Sequence, residues 1–210
     1  MQASSERWSS VCNQLGLTAA ADVGKRLINA YRRLGRHYHT LGHLDACLRE
    51  FDTARDLAQR PAEVEMGLWF HDAVYRTYSK DNEERSADWA RRFLAGHGGG
   101  GDVIARVVEL ILATKHAAEP AGADAKLLVD VDLSILGQSA DVYAQFEGDV
   151  RREYWWVPAK TFAEKRAALL QGLLERPHLF STERFRERYE SQARVNVANA
   201  ITTLRDGARA

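Results

Sequence analysis

The sequence predicts an all-α protein, a single-domain helical bundle that covers residues 1–210. Along almost the whole chain, apolar residues recur at the three- to four-residue spacing that is typical of helices. No segment shows the strict alternation of apolar and polar residues that indicates a half-buried strand. Gly35, Pro61 and Gly137 stand where predicted helices end or begin, and no repeat or low-complexity segment interrupts the pattern.

The first predicted helices lead to the residues of greatest chemical interest. A helix over Thr18–Leu34 ends at Gly35, and a second covers His39–Leu57. A third begins at Pro61, which a first turn tolerates, runs to His71, and is followed by a loop over residues 73–80. The second helix has an apolar stripe formed by Leu41, Leu44, Leu48 and Phe51.

The later helices are predicted from caps and glycines as well as from periodicity. Asp81 is placed to cap the next helix, and Glu84 stands where it would complete a capping box. The run Gly98–Gly101 is interpreted as a hinge, because it lacks the lysine and hydroxyl of a phosphate-binding P-loop. Further helices are predicted over Val103–Lys115, Ala123–Leu136 and residues 139–157, 160–175 and 182–205.

Composition and charge exclude several functional classes. Lys+Arg and Asp+Glu both total 29, so a basic surface for a nucleic acid polymer is not expected. Cys12 and Cys47 have no paired spacing, which favours free thiols in a reducing compartment. The N-terminal residues lack the apolar core of a signal peptide, and no apolar stretch is long enough to span a membrane. We therefore expect a cytoplasmic protein without a membrane partner. The sequence is compatible with a homodimer.

Four residues of metal-ligand type lie in segments that the pattern predicts to be apolar helices. They are His43, the adjacent pair His71 and Asp72, and Asp132. An unpaired buried polar group costs roughly 1–3 kcal/mol, so such residues need partners. One shared divalent cation would satisfy all four, and a metal site is the leading hypothesis; a hydrogen-bonded core histidine or a salt-bridged aspartate is the structural alternative.

Helical geometry separates Asp132 from Asp130, because residues two apart point in nearly opposite directions. The helical neighbours of Asp132 are all apolar, whereas those of Asp130 include Lys126 and Ser134. We therefore predict that Asp132 is the buried carboxylate and the better ligand, and that Asp130 is half-exposed.

His39 and His43 are four residues apart and would share one helix face. This pair could chelate a metal, or supply one ligand and one substrate contact. Arg36, a turn earlier, could bind a phosphate with its planar guanidinium. The alternative is a first helical turn that is rich in exposed polar residues.

Together these segments resemble the HD-domain superfamily of metal-dependent phosphohydrolases, and more narrowly the predicted HD phosphohydrolases of bacteria. The similarity spans about residues 25–175, with the C-terminal helices expected to pack on that core. The segments that carry it are Arg36–His43, Trp69–Val74, Asn82–Glu83 with Ser86–Ala87, and Asp130–Gly137.

The resemblance implies a ligand set of His43, His71, Asp72 and Asp132 around a divalent ion such as Mn²⁺, Co²⁺, Ni²⁺, Fe²⁺ or Mg²⁺. Two imidazoles with two carboxylates favour a transition metal over Mg²⁺ or Ca²⁺. A metal lowers the pKa of a coordinated water, so hydrolysis of a phosphomonoester or phosphoanhydride, with a nucleotide as substrate, is the implied activity.

Other residues receive roles in that chemistry. Asp72 would orient the attacking water or accept its proton, and Arg36, Lys80 and Lys115 would bind the phosphate. Glu83 falls on the inward face of its helix and could act as a general acid, although acidic residues are common in first turns for dipole reasons alone.

His39 and His116 offer a route to a second metal, since some superfamily members bind one through extra histidines in this region. The alternative for His116 is a histidine favoured by a helix C-terminus. The acidic pair of alarmone hydrolases and the Gly-Tyr-Pro signature of cyclic dinucleotide phosphodiesterases are both missing. A non-catalytic metal- or nucleotide-binding regulatory module and a di-iron oxygenase are the competing hypotheses.

Overall fold

The computed structural model describes residues 3–18, 21–116 and 118–207. Within these ranges the chain forms helices and no strand, which confirms the predicted all-α class. The chain divides into two compact units, Met1–Asp132 and Leu133–Ala210, and the single domain stays a prediction. No helix within the described ranges has both the length and the apolar character that a membrane crossing requires.

The first unit contains seven α-helices in its described part, the last of which extends by one residue past the boundary between the units. They are α1 (Ser5–Gln14), α2 (Ala21–Tyr31), α3 (Leu41–Ala54), α4 (Pro61–Phe70), α5 (Asn82–Gly96), α6 (Gly101–Ala113) and α7 (Ala123–Leu133), with a 3₁₀ turn Arg55–Leu57 after α3.

Helix α1 was not among the predicted helices, yet it contributes to the core. Trp8 is 1% exposed, and its ring lies 5.3 Å from the ring of Trp69 on α4. The buried Arg7 donates from Nε to Glu65 at 2.9 Å and through both terminal nitrogens to Asp52, at 2.7 and 2.8 Å. The bidentate contact with Asp52 ties α1 to α3, and the contact with Glu65 ties it to α4.

Helix α4 forms the centre of the first unit, and eight of its ten residues are buried. Its start at Pro61 agrees with the prediction. Gly67 allows a close approach, because a Cβ atom there would lie 2.7 Å from Cδ1 of Leu128 on α7 and 3.3 Å from Cβ of Leu110 on α6. The missing side chain therefore sets how closely α4 packs on its neighbours.

Two predicted helix starts need correction. The hydroxyl of Thr40 accepts a hydrogen bond from the backbone N–H of Gly42, so α3 begins at Leu41 and His39 lies outside it. His39 and His43 therefore do not share a helix face. Asp81 is the N-cap residue of α5, but its carboxylate accepts from Ser79 and Arg85 instead of from the helix N-terminus, so no capping box forms.

The other predicted boundaries agree with the structure within a few residues. The helix predicted over Thr18–Leu34 corresponds to α2, which ends three residues earlier than predicted, at Tyr31. Its predicted start lies beside residues 19 and 20, which are outside the described ranges. Gly35 has a φ of 89°, a left-handed conformation that glycine adopts readily, and it forms the turn after this helix. The predicted loop over residues 73–80 lies between α4 and α5.

The second unit contains helical segments that side-chain hydrogen bonds link to one another. Asn196 donates at 2.8 Å to the carbonyl oxygens of Leu136 and Gln138, and Arg166 contacts Glu147 at 2.8 Å. Its elements are a 3₁₀ turn Ser134–Gly137, α8 (Ala140–Glu153), α9 (Ala159–Leu174), a helical turn Glu183–Phe185, a π-helical turn Arg186–Glu190 and α10 (Ser191–Gly207).

Candidate metal centre

Three segments of the first unit bring side chains of metal-ligand type together. His43 and Cys47 lie one turn apart on α3, His71 directly follows α4, and Asp132 lies in the last turn of α7. One ligand atom from each of these four residues lies within 4.8 Å of all the others, and His43, Cys47 and His71 are buried. This group, which we call the metal cluster, could hold a metal ion.

The two imidazoles face each other through the nitrogens that a metal would use. Nε2 of His43 lies 3.0 Å from Nε2 of His71. Nδ1 of His71 lies 2.7 Å from the carbonyl oxygen of Leu68, a contact in which Nδ1–H must donate. A neutral His71 ring would therefore present the lone pair of Nε2 to the cluster, as expected for a metal-ligating histidine.

Both predicted carboxylate ligands approach these nitrogens. Oδ1 of Asp132 lies 3.2 Å from Nε2 of His43 and 3.6 Å from Nε2 of His71. Oδ2 of Asp72 lies 3.5 and 3.3 Å from the same two atoms. Asp72 thus lies beside the metal cluster, although its coordination of a metal stays a prediction.

The charges in this group shift one another's protonation. Burial lowers the pKa of His71, but the carboxylates of Asp72 and Asp132 outweigh that effect and raise it to about 9. Burial acts to raise the pKa values of Asp72 and Asp132, and the nearby imidazoles bring both below their ordinary range. Without a metal, the ionised carboxylates and the protonated His71 imidazole each stabilise the charged form of the other.

The spacing of the donor atoms fits a metal ion. Bonds of about 2.1 Å separate neighbouring ligand atoms by about 3.0 Å in an octahedron and about 3.4 Å in a tetrahedron. The observed distances between imidazole nitrogens and carboxylate oxygens, 3.2–3.6 Å, fall in or near this range. A set of imidazole, carboxylate and thiol donors suits a divalent transition metal.

Cys47 is the member of the cluster that the sequence analysis missed. Its Sγ atom lies 3.7 Å from both ring nitrogens of His43, and burial raises the pKa of the thiol well above its ordinary value. The signal was present in the sequence, because Cys47 follows His43 by four residues on one predicted helix. It was interpreted there only as a free thiol.

The prediction about the two aspartates of α7 was right for the site and wrong for burial. Asp132 belongs to the metal cluster, as predicted, but its side chain is 14% exposed. Asp130, predicted to be half-exposed, is completely buried. Because Leu127, Leu128 and Val131 are also buried, α7 is covered on several sides, and the polarity of helical neighbours does not determine which face is exposed.

The two histidines proposed for a second metal lie at the edge of the cluster. Nε2 of His116 lies 3.3 Å from Oδ2 of Asp132, the oxygen other than the one near His43. His116 has a φ of 53°, an uncommon value for a residue with a side chain. The ring of His39 stacks on that of Tyr75, with centroids 4.1 Å apart.

Arg36 supports the backbone around the predicted ligands. Its Nη1 donates to the carbonyl oxygens of His39 and Asp72, both at 2.8 Å, and its Nη2 donates to that of Ala73 at 3.1 Å. The side chain is buried, and these contacts hold the turn that carries Asp72. A role in phosphate binding stays a prediction.

Helix α5 holds the loop that follows Asp72. The hydroxyl of Ser86 accepts from the N–H of Val74 and donates to its carbonyl oxygen, while the Asn82 amide pairs with the backbone of Arg76. Glu83 lies between these two residues in sequence. Burial and the negative charge of Asp72 raise the pKa of Glu83, which indicates that its carboxyl faces the same region.

The two predicted phosphate-binding lysines differ in their surroundings. Lys80 is exposed in the loop before α5. Lys115, just after α6, forms an ion pair with Glu84, which raises the pKa of the lysine. Both roles stay predictions.

The chain matches no protein-family model, no curated protein and no solved structure. The observations that bear on the resemblance are therefore the helical architecture of the described residues and the metal cluster. Both are compatible with an HD-type fold.

Proposed function

We propose that this chain is a metal-dependent phosphohydrolase of the HD type. The observation that carries the proposal is the approach of two imidazole nitrogens to within 3.0 Å of each other, with Oδ1 of Asp132 and Oδ2 of Asp72 within 3.6 Å of both. Such a concentration of buried donors is costly without a shared cation, because each unpaired group loses its hydration. His43, His71 and Asp132, with Asp72 or Cys47, would hold the ion.

A bound divalent metal would polarise a phosphoryl oxygen and make hydroxide available from a coordinated water near neutral pH. We assign Asp72 to orient that water or accept its proton, because its carboxylate borders both imidazoles and its lowered pKa keeps it ionised. Arg36 keeps the Asp72 backbone in place through its carbonyl. The role of Asp72 requires that one of its carboxylate oxygens point at the water.

Glu83 is suited to protonate the leaving group. Burial and nearby Asp72 raise its pKa, so it retains a proton at a higher pH than an ordinary glutamic acid. Its neighbours Asn82 and Ser86 bind the backbone of the loop after Asp72, which ties the position of Glu83 to that loop. A general acid must hold a proton and be fixed close to the leaving group, and the Glu83 carboxyl is proposed to meet both requirements.

The proposed substrate is a small phosphorylated molecule, and nucleotides are the first class to screen. Lys80, on the exposed loop, is the cation best suited to meet a phosphate that reaches the cluster. His39, stacked on Tyr75, provides an imidazole at the edge of the site. A nucleotide, which has a phosphate at one end and a flat aromatic base at the other, matches cationic and aromatic groups of this kind.

The test combines metal analysis with a substrate screen. Elemental analysis of protein purified without added metal should find about one transition-metal ion per chain, and Asp132→Ala should lose it. The exposed Asp141→Ala is the matched control and should retain the metal. Mononucleotides, dinucleotides and other phosphate esters are then assayed for phosphate release with Mn²⁺, Co²⁺, Ni²⁺, Fe²⁺ and Zn²⁺. Absence of metal and of metal uptake in the unmodified chain would exclude the proposal.

A second candidate is a non-catalytic module that binds a metal or nucleotide for regulation. It is favoured by the engagement of Arg36 with backbone carbonyls and of Lys115 with Glu84, which occupies two of the three proposed phosphate-binding cations. Nucleotide binding without phosphate release would support it. A di-iron oxygenase, the third candidate, requires two ions per chain, with Asp132 between His43 and His116.

A further inference from the structure

We propose that Cys47 is itself a ligand of the metal, so that the site has two imidazole nitrogens, one carboxylate oxygen and one sulfur. This inference rests on the metal site of the proposed function and specifies its chemistry. It adds a donor that the resemblance to HD phosphohydrolases does not imply. The consequence is a site that prefers Zn²⁺, Co²⁺ or Fe²⁺ over Mn²⁺ and Mg²⁺.

Helix geometry is the first support. Cys47 lies four residues after His43 on α3, so the two side chains lie on one helix face. The Sγ atom is 3.7 Å from both Nδ1 and Nε2 of His43, so it lies against the imidazole ring, and Cys47 is 2% exposed. The thiol is therefore buried beside the first imidazole of the metal cluster.

The other members of the set give the second support. Cys47 Sγ lies within 4.8 Å of ligand atoms of His43, His71 and Asp132, which come from three different helical segments. The remaining distances around His43 Nε2 are 3.0 Å to His71 and 3.2 Å to Asp132. The thiol is therefore within reach of a metal held by the other three residues.

Charge balance gives the third support. When the metal binds, the thiol proton leaves to solvent and the sulfur becomes a thiolate bonded to the ion. One thiolate and the Asp132 carboxylate then neutralise a divalent cation, while the two imidazoles are neutral donors. Asp72 is no longer needed for neutrality, and its carboxylate, 3.3 Å from His71 Nε2, is left to act on water.

Cobalt spectroscopy of the full chain tests this inference directly. The metal is removed with a chelator, and Co²⁺ is added to the unmodified protein, to Cys47→Ala, to Cys47→Ser and to Cys12→Ala. Cys12 is the matched control, because it is a second buried free cysteine, on α1, outside the metal cluster. Bound cobalt is counted by elemental analysis after desalting, and folding of each variant is checked by circular dichroism.

We expect a near-ultraviolet sulfur-to-cobalt charge-transfer band in the unmodified protein and in Cys12→Ala. The band should be absent from both Cys47 variants, and in these the preference for Zn²⁺ over Mn²⁺ should fall by about tenfold or more. Cobalt that binds to the unmodified protein without such a band would overturn the role of Cys47 and leave the metal site intact. No cobalt binding to the unmodified protein would overturn both proposals. Because the chain has only two cysteines, a band that persists in Cys12→Ala assigns the sulfur to Cys47 even if the Cys47 variants fail to fold.

Discussion

Gly67 on α4 lies against Leu128 on α7, and each residue stands one helical turn before a member of the metal cluster. A Cβ atom on Gly67 would lie 2.7 Å from Cδ1 of Leu128. His71 follows Gly67 by four residues, and Asp132 follows Leu128 by four. The close approach of the two helices is therefore also what brings a histidine and an aspartate to one place.

Gly67→Ala should destabilise the first unit and weaken metal binding. Overpacking a buried contact costs roughly 1–3 kcal/mol, which exceeds the gain of about 1 kcal/mol from replacing a helical glycine. Chemical denaturation and metal content measure the two effects. Gly148→Ala is the matched control, because Gly148 lies within α8 with no heavy atom within 4 Å of its added Cβ, and this change should be stabilising. Equal effects of the two substitutions would contradict the argument.

Without a metal, the stability of the protein should fall as the pH rises from about 6.5 to about 9. The pKa of His71 is raised in the folded state from 6.5 to about 9, so its protonation stabilises the folded chain fully below 6.5. That contribution, roughly 3 kcal/mol, is lost as the pH passes through the folded-state value. Urea unfolding in the presence of a chelator at several pH values measures it.

His71→Gln is the control for this pH dependence, since glutamine does not titrate. The variant should show a smaller fall in stability over the same pH range than the unmodified protein. Metal addition should reverse the trend, because a metal competes with the proton on His71 and therefore binds more tightly as the pH rises. Identical pH profiles for the variant and the unmodified protein would contradict the assignment to His71.

Arg36→Lys should destabilise the turn that carries Asp72, although it keeps the positive charge. Lysine cannot reproduce the planar contacts to the carbonyl oxygens of His39, Asp72 and Ala73. Loss of buried hydrogen bonds predicts a fall of roughly 1–3 kcal/mol in the free energy of unfolding. The exposed Arg33→Lys is the control, and thermal unfolding compares the two. If both variants melt like the unmodified chain, Arg36 does not have this structural role.

His116→Ala should retain the metal at the cluster. Its Nε2 contacts Oδ2 of Asp132, whereas the cluster uses Oδ1 near His43. Elemental analysis should therefore find the same ion in His116→Ala as in the control His178→Ala, whose histidine is exposed in the second unit. Complete loss of metal in His116→Ala would show that His116 belongs to the primary ligand set.

Periodicity and glycine positions were sufficient to predict the all-α class and most helix boundaries. They were insufficient where a side-chain hydrogen bond determines the start of a helix. Because Thr40 caps α3, the helix begins two residues later than predicted, and His39 lies outside it. They also missed α1, whose burial depends on Trp8 and Arg7 meeting residues from distant segments. Local sequence carries little information about such long-range partners.

Periodicity was enough to predict the helical class, and the chain order of the ligand-type residues His43, His71, Asp72 and Asp132 could be read directly. The structure was needed to show that Cys47 borders the same site and that Asp130 is the completely buried aspartate of α7. Helical periodicity defines the direction of a side chain relative to its own helix axis. It does not define which neighbouring helix lies in that direction, which depends on packing contacts such as the one between Gly67 and Leu128.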